Sequence, residues 1–161
     1  MVESGDVLVS IDARHANQLT GAILRSKESL LPLPADGWRN EVTIGRSRFD
    51  FARIGEPLSV VEAKCVTLVV DGVARFPDAP TPRGARHLRE LAELAKGGAQ
   101  AAALFVIQRP DAEAFGSNEA TDPAFRDALK AAIEAGVRVR AFTCEVTTRA
   151  VSFSREVSVL A

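Results

Sequence analysis

Two charged residues, Glu62 and Lys64, interrupt residues 58–70, the most hydrophobic strand-like stretch of the sequence. Because side chains alternate along a β-strand, both are expected to project from the same face. Charges are costly to bury unless they are paired or bound to a metal ion. The pattern therefore indicates either an edge strand or a functional site, and the apolar neighbours argue against an edge.

Asp50 supplies a second carboxylate on the preceding strand-like segment, where we expect it to share a face with Arg48 while Phe49 and Phe51 face the opposite way. If the two strands pair, Asp50 and Glu62 lie on neighbouring strands roughly 5 Å apart. Carboxylates at that spacing repel each other unless a cation lies between them. A hard divalent ion with oxygen ligands, Mg²⁺ or Mn²⁺, suits this arrangement.

Lys64 beside such an ion could orient or deprotonate a bound water, or stabilise charge on phosphorus. Asp50, Glu62 and Lys64 would then form a complete catalytic set for phosphodiester hydrolysis, with Asp50 and Glu62 as the metal ligands. Glu-x-Lys alone is a weak motif. A plain Glu62–Lys64 pair on a solvated sheet face is the alternative interpretation.

A second group of residues suits phosphate or nucleic-acid contacts. Asp78 precedes a predicted helix on which Arg83 and His87 have i, i+4 spacing and share a face, and free backbone amides in a first helical turn favour anions. Gln108 ends a buried apolar strand and is a further candidate, as is Arg48. The alternative is that Asp78 caps a turn, Arg83 and His87 are ordinary surface residues, and Gln108 is a polar strand end.

The elements around these residues predict an α/β fold with a mixed central sheet flanked by helices. We expect residues 1–5 to be a frayed end, residues 31–40 a loop, and Asp71-Gly72 a hairpin turn. The predicted helices cover residues 17–24, the stretch from the Thr81 N-cap to Gly97, and the stretch from Asp122 to Gly136. The predicted strands cover residues 7–11, 41–44, 48–54, 58–70, 73–76, 101–107, 137–146 and, at an edge, 150–159.

Length and composition fit one domain over residues 1–161, with 47% hydrophobic and 25% charged residues. No apolar run is long enough for a membrane span, so we expect no membrane partner. Cys65 and Cys144 lie in apolar runs and are expected to be buried thiols in a reducing cytoplasm. The net charge of −1 argues against a broadly basic nucleic-acid coat.

The segments that carry these residues resemble the sugar fermentation stimulation protein A (SfsA) family. Residues 45–51, GRSRFDF, are similar to the family's G-x-S-R-x-D-F, and residues 61–68, VEAKCVTL, to its V-E-x-K-x-V-T-L. Residues 76–88 are similar to F-P-D-A-x-T-x-R-G-x-x-H-L. Residues 105–112 match a further block, and residues 122–145 match the family's helix–Gly-Val–strand ending. The likeness extends from about residue 7 to residue 145.

The resemblance implies a restriction-endonuclease-like, PD-(D/E)xK domain. It implies binding of DNA with little sequence preference, metal-dependent nuclease activity and a link to the regulation of sugar (maltose) metabolism. By motif match, Asp50, Glu62 and Lys64 are the catalytic set. Family members typically carry an N-terminal OB-type domain, a module for single-strand binding, and this sequence begins after it. The family's first helix tends to carry acidic residues, whereas residues 19–23 are LTGAI, so no third carboxylate ligand is expected there.

Three functions remain open on the sequence. The first is a divalent-metal nuclease acting on DNA, with RNA as a second candidate substrate. The second is a DNA-binding regulator without catalysis. The third is a subunit that needs an OB-domain partner or a second copy of itself.

Overall fold

A large mixed sheet with helices on both faces positions every candidate residue. The computed structural model describes residues 1–26 and 31–160. The elements in chain order are β1 (Val2–Ser4), β2 (Val7–Val9), α1 (Ala13–Arg25), β3 (Arg39–Ile44), β4 (Ser47–Arg53), β5 (Ser59–Val66), β6 (Leu68–Val70), β7 (Val73–Phe76), α2 (Pro82–Lys96), β8 (Gln100–Ile107), β9 (Ala114–Ser117), α3 (Pro123–Glu134), β10 (Arg138–Val146) and β11 (Val151–Leu160).

The sheet has the strand order β3-β4-β5-β8-β10-β11-β9-β7-β6, and β1 and β2 form a separate antiparallel pair. Its centre, β5-β8-β10, is parallel, while β3 and β4 join antiparallel to one side of β5. Parallel strands need long crossover connections, which here contain α2 and α3. The apolar strand β8 is buried on both faces, as its continuous hydrophobic run predicts.

Two hydrophobic cores lie on opposite faces of the sheet. On one face, α1 contributes Leu24, which packs in a core with Leu104 and Phe142. On the other face, α2 and α3 contribute Leu88 and Phe125 to the larger core. The prediction of helices on both faces is confirmed. Within residues 1–26 and 31–160, no helix is long and apolar enough to cross a membrane.

The predicted strand over residues 58–70 is wrong in one respect, because the chain breaks at Thr67 into two strands. Strand β5 lies near the sheet centre, whereas β6 lies at the far edge. At the break, the buried Arg109 donates a hydrogen bond of 3.0 Å to the Thr67 carbonyl. Its guanidinium is held in turn by two hydrogen bonds to Asp111. A side chain distant in sequence thus satisfies the backbone at the break, which the hydrophobic run could not reveal.

The last strand, predicted over residues 150–159 at an edge, has the wrong position. Strand β11 pairs with β10 on one side and with β9 on the other. The polar composition of β11 reflects the exposure of its side chains. It does not indicate whether the backbone of the strand is paired on one side or on both. Strand β9 was not predicted, because its four residues, AFGS, have little strand character.

Near the N-terminus, α1 begins at Ala13, four residues before the prediction, because Asp12 caps it by accepting the Arg14 N–H at 2.9 Å. Residues 2–4 pair with β2 and are not a frayed end. The predicted turn between β6 and β7 is confirmed. Asp71 and Gly72 have φ values of 50° and 75°, the left-handed conformation that two-residue hairpin turns require.

Asp122 fixes α2 relative to α3. One carboxylate oxygen accepts the Phe125 N–H at 2.9 Å and caps α3, which begins where it was predicted to begin. The other oxygen accepts the Thr81 N–H at 2.8 Å, and Thr81 is the N-cap of α2 through the Gly84 N–H. The two helix N-termini, both favourable for an anion, therefore meet at one carboxylate.

We expect Asp122→Ala to destabilise the fold by more than an ordinary cap, whose loss costs about 1 kcal/mol, because two helices lose an anchor. Urea unfolding measures the change. Asp127→Ala, which removes an exposed carboxylate paired with Arg126, is the control and should stay within about 0.5 kcal/mol of wild type. Equal losses in the two variants would contradict the bridging role.

Candidate active site

Strands β4 and β5 separate at Asp50. Their backbone pairing runs up to Phe51, which lies opposite Val61, and the described register ends there. Next to this point the Asp50 carboxylate accepts the Ala63 N–H at 2.8 Å, a bond that a strand carbonyl would otherwise make. The Asp50 N–H lies 3.4 Å from Oε2 of Glu62. Side-chain carboxylates thus bridge the two strands where the backbone bonds stop.

The predicted alternation around Asp50 is wrong, because Phe49 and Phe51 lie on opposite faces. Phe49 belongs to the α2–α3 core and Phe51 to the α1 core. Across from Asp50 on β3, Glu41 has φ 53°, a left-handed conformation uncommon for a residue other than glycine. The side chains of β4 therefore change face between Phe49 and Phe51, opposite this irregular residue of β3. Arg48 stays exposed, with its guanidinium 3.6 Å from the Glu41 carboxylate.

Glu62 is held by two donors on a single oxygen. Oε1 accepts from the Lys64 ammonium and from Nδ1 of His87, the latter at 2.6 Å. An ionised carboxylate only accepts hydrogen bonds, so the His87 proton is assigned to Nδ1. Glu62 is 3% exposed and His87 is 1% exposed, whereas the Lys64 side chain remains 17% exposed. Lys64 is therefore the member of this group that a solvent-borne ligand reaches most easily.

The two carboxyls differ in their ionisation. Burial raises the pKa of Asp50, and the negative charge of Glu62 raises it further, against the Ala63 N–H and Lys64. Burial also raises the pKa of Glu62, but the hydrogen bond from His87 and the charge of Lys64 outweigh burial, and the net pKa is lowered. Glu62 is therefore a compensated anion, and the unrelieved repulsion falls on Asp50.

A cleft of about 260 Å³ borders Asp50 on the side of α1. It is lined by oxygen-bearing side chains together with one ring: Asn17, Gln18, Asn40, Glu41, Asp50 and Phe51. Asn17 donates from Nδ2 to Oδ1 of Asp50 at 3.0 Å. In the part of the chain that the structure describes, no three His, Cys, Asp or Glu side chains gather around a single point. A metal in this cleft would thus draw on Asp50 and Glu41, amide oxygens and water.

The residues predicted to bind phosphate differ in their exposure. Arg83 is exposed in the first turn of α2, and Asp78 is exposed in the preceding loop. His87 shares a helix with Arg83 but points inward to Glu62, so its description as a surface residue is wrong. Its burial leaves it in contact with Glu62 in place of a phosphate. The helical spacing was correct, and the sequence lacked any signal that a buried acid would claim His87.

Gln108 also lies apart from Asp50 and Glu62. Its side chain is 0% exposed and donates from Nε2 to the Ser10 carbonyl at 2.6 Å and to the sulfur of Cys65 at 3.1 Å. Burial raises the pKa of the Cys65 thiol to about 11 and that of Cys144 to about 12, so both are thiols at neutral pH. These contacts give Gln108 a structural position against the N-terminal segment.

Asp50→Asn should stabilise the metal-free protein near neutral pH. Because the folded-state pKa of Asp50 is raised, its contribution to stability is full below its ordinary value of 3.8 and is lost as the pH rises through the folded value. The amide keeps an acceptor for the Ala63 N–H and removes the ionisation. Urea unfolding in EDTA at neutral pH and below pH 3.8 tests this: the advantage should disappear at the lower pH.

Glu62→Gln should have the opposite sign and destabilise the protein at neutral pH, because it removes the counter-charge of Lys64 and leaves His87 a weaker, neutral acceptor. If the Asp50→Asn variant is less stable than wild type at neutral pH in EDTA, the proposed repulsion between Asp50 and Glu62 is contradicted.

Comparison with known proteins places this geometry in a family. The "Sugar fermentation stimulation protein RE domain" matches residues 14–150. The sugar fermentation stimulation protein homologue of Alkaliphilus metalliredigens is 42% identical, over 99% of this chain and 70% of that protein, and the homologue of Moorella thermoacetica is 43% identical, over 99% and 69%. The structure of Pyrococcus furiosus SfsA in complex with Ca²⁺ superimposes with a TM-score of 0.86 at 29% identity, covering 99% of this chain and 70% of that one. The chain belongs to the sugar fermentation stimulation protein (SfsA) family.

Proposed function

We propose that this chain is a divalent-metal-dependent nuclease that hydrolyses phosphodiester bonds of DNA, with RNA as a second candidate substrate, and with little sequence preference. The observation that carries the proposal is the meeting of Asp50 and Glu62 where β4 and β5 separate, with Lys64 bonded to Glu62. An acid on one strand and Glu-x-Lys on its neighbour is the arrangement expected of a PD-(D/E)xK site. The mixed sheet with helices on both faces supports that assignment.

The metal proposed for this site is Mg²⁺ or Mn²⁺. Carboxylate and amide oxygens are ligands for hard cations, and Asp50 carries a repulsion that a cation would relieve. The relative from Pyrococcus furiosus was solved in complex with Ca²⁺, another hard divalent ion. When bound, such an ion supplies a Lewis acid and lowers the pKa of water.

The side chains of the chain itself would orient the reactants. His87 and Lys64 hold one oxygen of Glu62, so the other oxygen keeps a fixed direction toward Asp50. Lys64 has three ammonium protons, and those not bonded to Glu62 can donate to a phosphoryl oxygen as negative charge develops. Asp50, tied to β5 and to α1, cannot rotate without losing a hydrogen bond.

Nucleic-acid contacts are proposed for two exposed cations. Arg83, in the first turn of α2, and Arg48, beside Asp50 in sequence, are exposed. The net charge of −1 gives little general attraction to DNA, so positioning on the strand would come from an OB-domain partner or a second copy of the chain. Asp78 stays a candidate on sequence grounds. The physiological setting we propose, regulation of sugar (maltose) metabolism, follows the family resemblance.

Lys64→Met should lower metal-dependent DNA cleavage by about 10²-fold or more, the effect of losing one donor to a developing charge, and leave DNA affinity nearly unchanged. The variant keeps an apolar side chain of similar length, and thermal unfolding checks that it folds. Cleavage is measured on single- and double-stranded DNA and on RNA with Mg²⁺ or Mn²⁺. Full activity in Lys64→Met would remove Lys64 from the mechanism.

Arg83→Ala should weaken DNA binding and reduce the dependence of log K on log salt by about one counterion. Arg149→Ala, which removes an exposed cation from the β10–β11 turn, is the matched control. DNA binding that needs Arg83 in a protein without metal-dependent cleavage would favour the non-catalytic regulator. Activity or binding that appears only after an OB-domain protein is added would favour the subunit.

A further inference from the structure

Helix α1 contributes a side chain to the site that the acidic residues alone do not reveal. Nδ2 of Asn17 donates to Oδ1 of Asp50 at 3.0 Å. Because a carboxylate offers only acceptors, the Asn17 nitrogen must face Asp50. The Oδ1 atom of Asn17 is then the second polar atom of the same side-chain amide and does not make this bond. Among the contacts of residues 1–26 and 31–160, none gives that oxygen a protein donor.

The packing of α1 does not require this amide. The buried residues of the helix are Ala16, Thr20, Gly21 and Leu24. Asn17 is half-buried at the border of that stripe and lines the 260 Å³ cleft beside Asp50. Among residues 1–26 and 31–160, no Lys or Arg lines this cleft, whereas Glu41 and Asp50 do. The cleft therefore favours a cation over a free anion.

We propose that Asn17 is a component of the metal site: its nitrogen orients Asp50, and its oxygen binds the divalent cation held at Asp50. The inference rests on the proposed function, because it assumes a metal at that carboxylate. Asn side-chain oxygens are ordinary ligands of hard divalent ions. A neutral ligand adds coordination without adding a negative charge beside Asp50, whose repulsion by Glu62 is not compensated within the protein.

The test is titration of the full chain with Mn²⁺ and with Ca²⁺ by calorimetry, together with thermal unfolding in EDTA and in excess metal. Asn17→Ala should weaken the binding of either ion by about tenfold or more, the effect of losing a group that orients a ligand. Asn17→Asp should bind at least as tightly as wild type, since it keeps an oxygen ligand and adds a charge. Without metal it should unfold at a lower temperature, because two carboxylates then face each other.

Gln18→Glu is the matched control, since it adds the same charge to the same helix and cleft without a bond to Asp50. If the added charge acts only through its long-range electrostatic field, Gln18→Glu and Asn17→Asp should tighten metal binding equally. That result would overturn the role of Asn17 as a metal ligand. Unchanged affinity in folded Asn17→Ala would overturn the inference as well. So would Asn17→Asp binding as weakly as Asn17→Ala.

Asp50→Asn separates this inference from the proposed function. If wild type binds Mn²⁺ and Asp50→Asn does not, the metal site stands whatever the Asn17 variants show. If wild type and Asp50→Asn both fail to bind either ion, the metal site and the role of Asn17 fail together.

Discussion

The buried negative charge of Glu62 is the constraint on which the rest of the structure depends. A carboxylate in the interior of a sheet is stable only with compensating donors, and these come from Lys64 on the same strand and His87 on α2. The second donor requires α2 to be docked at a fixed height on the sheet. Asp122, which joins the N-termini of α2 and α3, contributes to that docking. The candidate site is thus built together with the larger core and is not an addition to its surface.

Asp50 represents the opposite solution. Its pKa is raised because burial and Glu62 are not fully compensated, and its partners are one backbone N–H and one neutral amide. An arrangement with one compensated and one uncompensated acid leaves room for a cation at a single place. A site in which both acids were fully paired within the protein would have no electrostatic reason to bind metal.

Much of the fold was accessible from the sequence, because hydrophobic periodicity and helix caps are local. Thr81 was predicted as a cap, Asp122 as the start of a helix, and β8 as a buried central strand. The association of Glu62 with Lys64 followed from alternation along one strand, and that of Asp50 with Glu62 from the pairing of two strands. The failures share a cause: each depends on a partner distant in the chain. His87 is buried because Glu62 claims it, the strand breaks at Thr67 because Arg109 binds its carbonyl, and Phe49 and Phe51 diverge at an irregularity shared with Glu41.

The bond between Asp50 and the Ala63 N–H has a consequence for the sheet itself. In an ordinary ladder the bonds between strands are made by the backbone and are indifferent to side-chain charge. Here one rung between β4 and β5 is a titratable group, so protonation of Asp50, or an ion drawing on its oxygens, changes the strength of a strand–strand contact. The chemical state of the site and the cohesion of β4 with β5 are therefore a single property of the molecule. Binding of a ligand at Asp50 and local opening of the β4–β5 pair are therefore coupled.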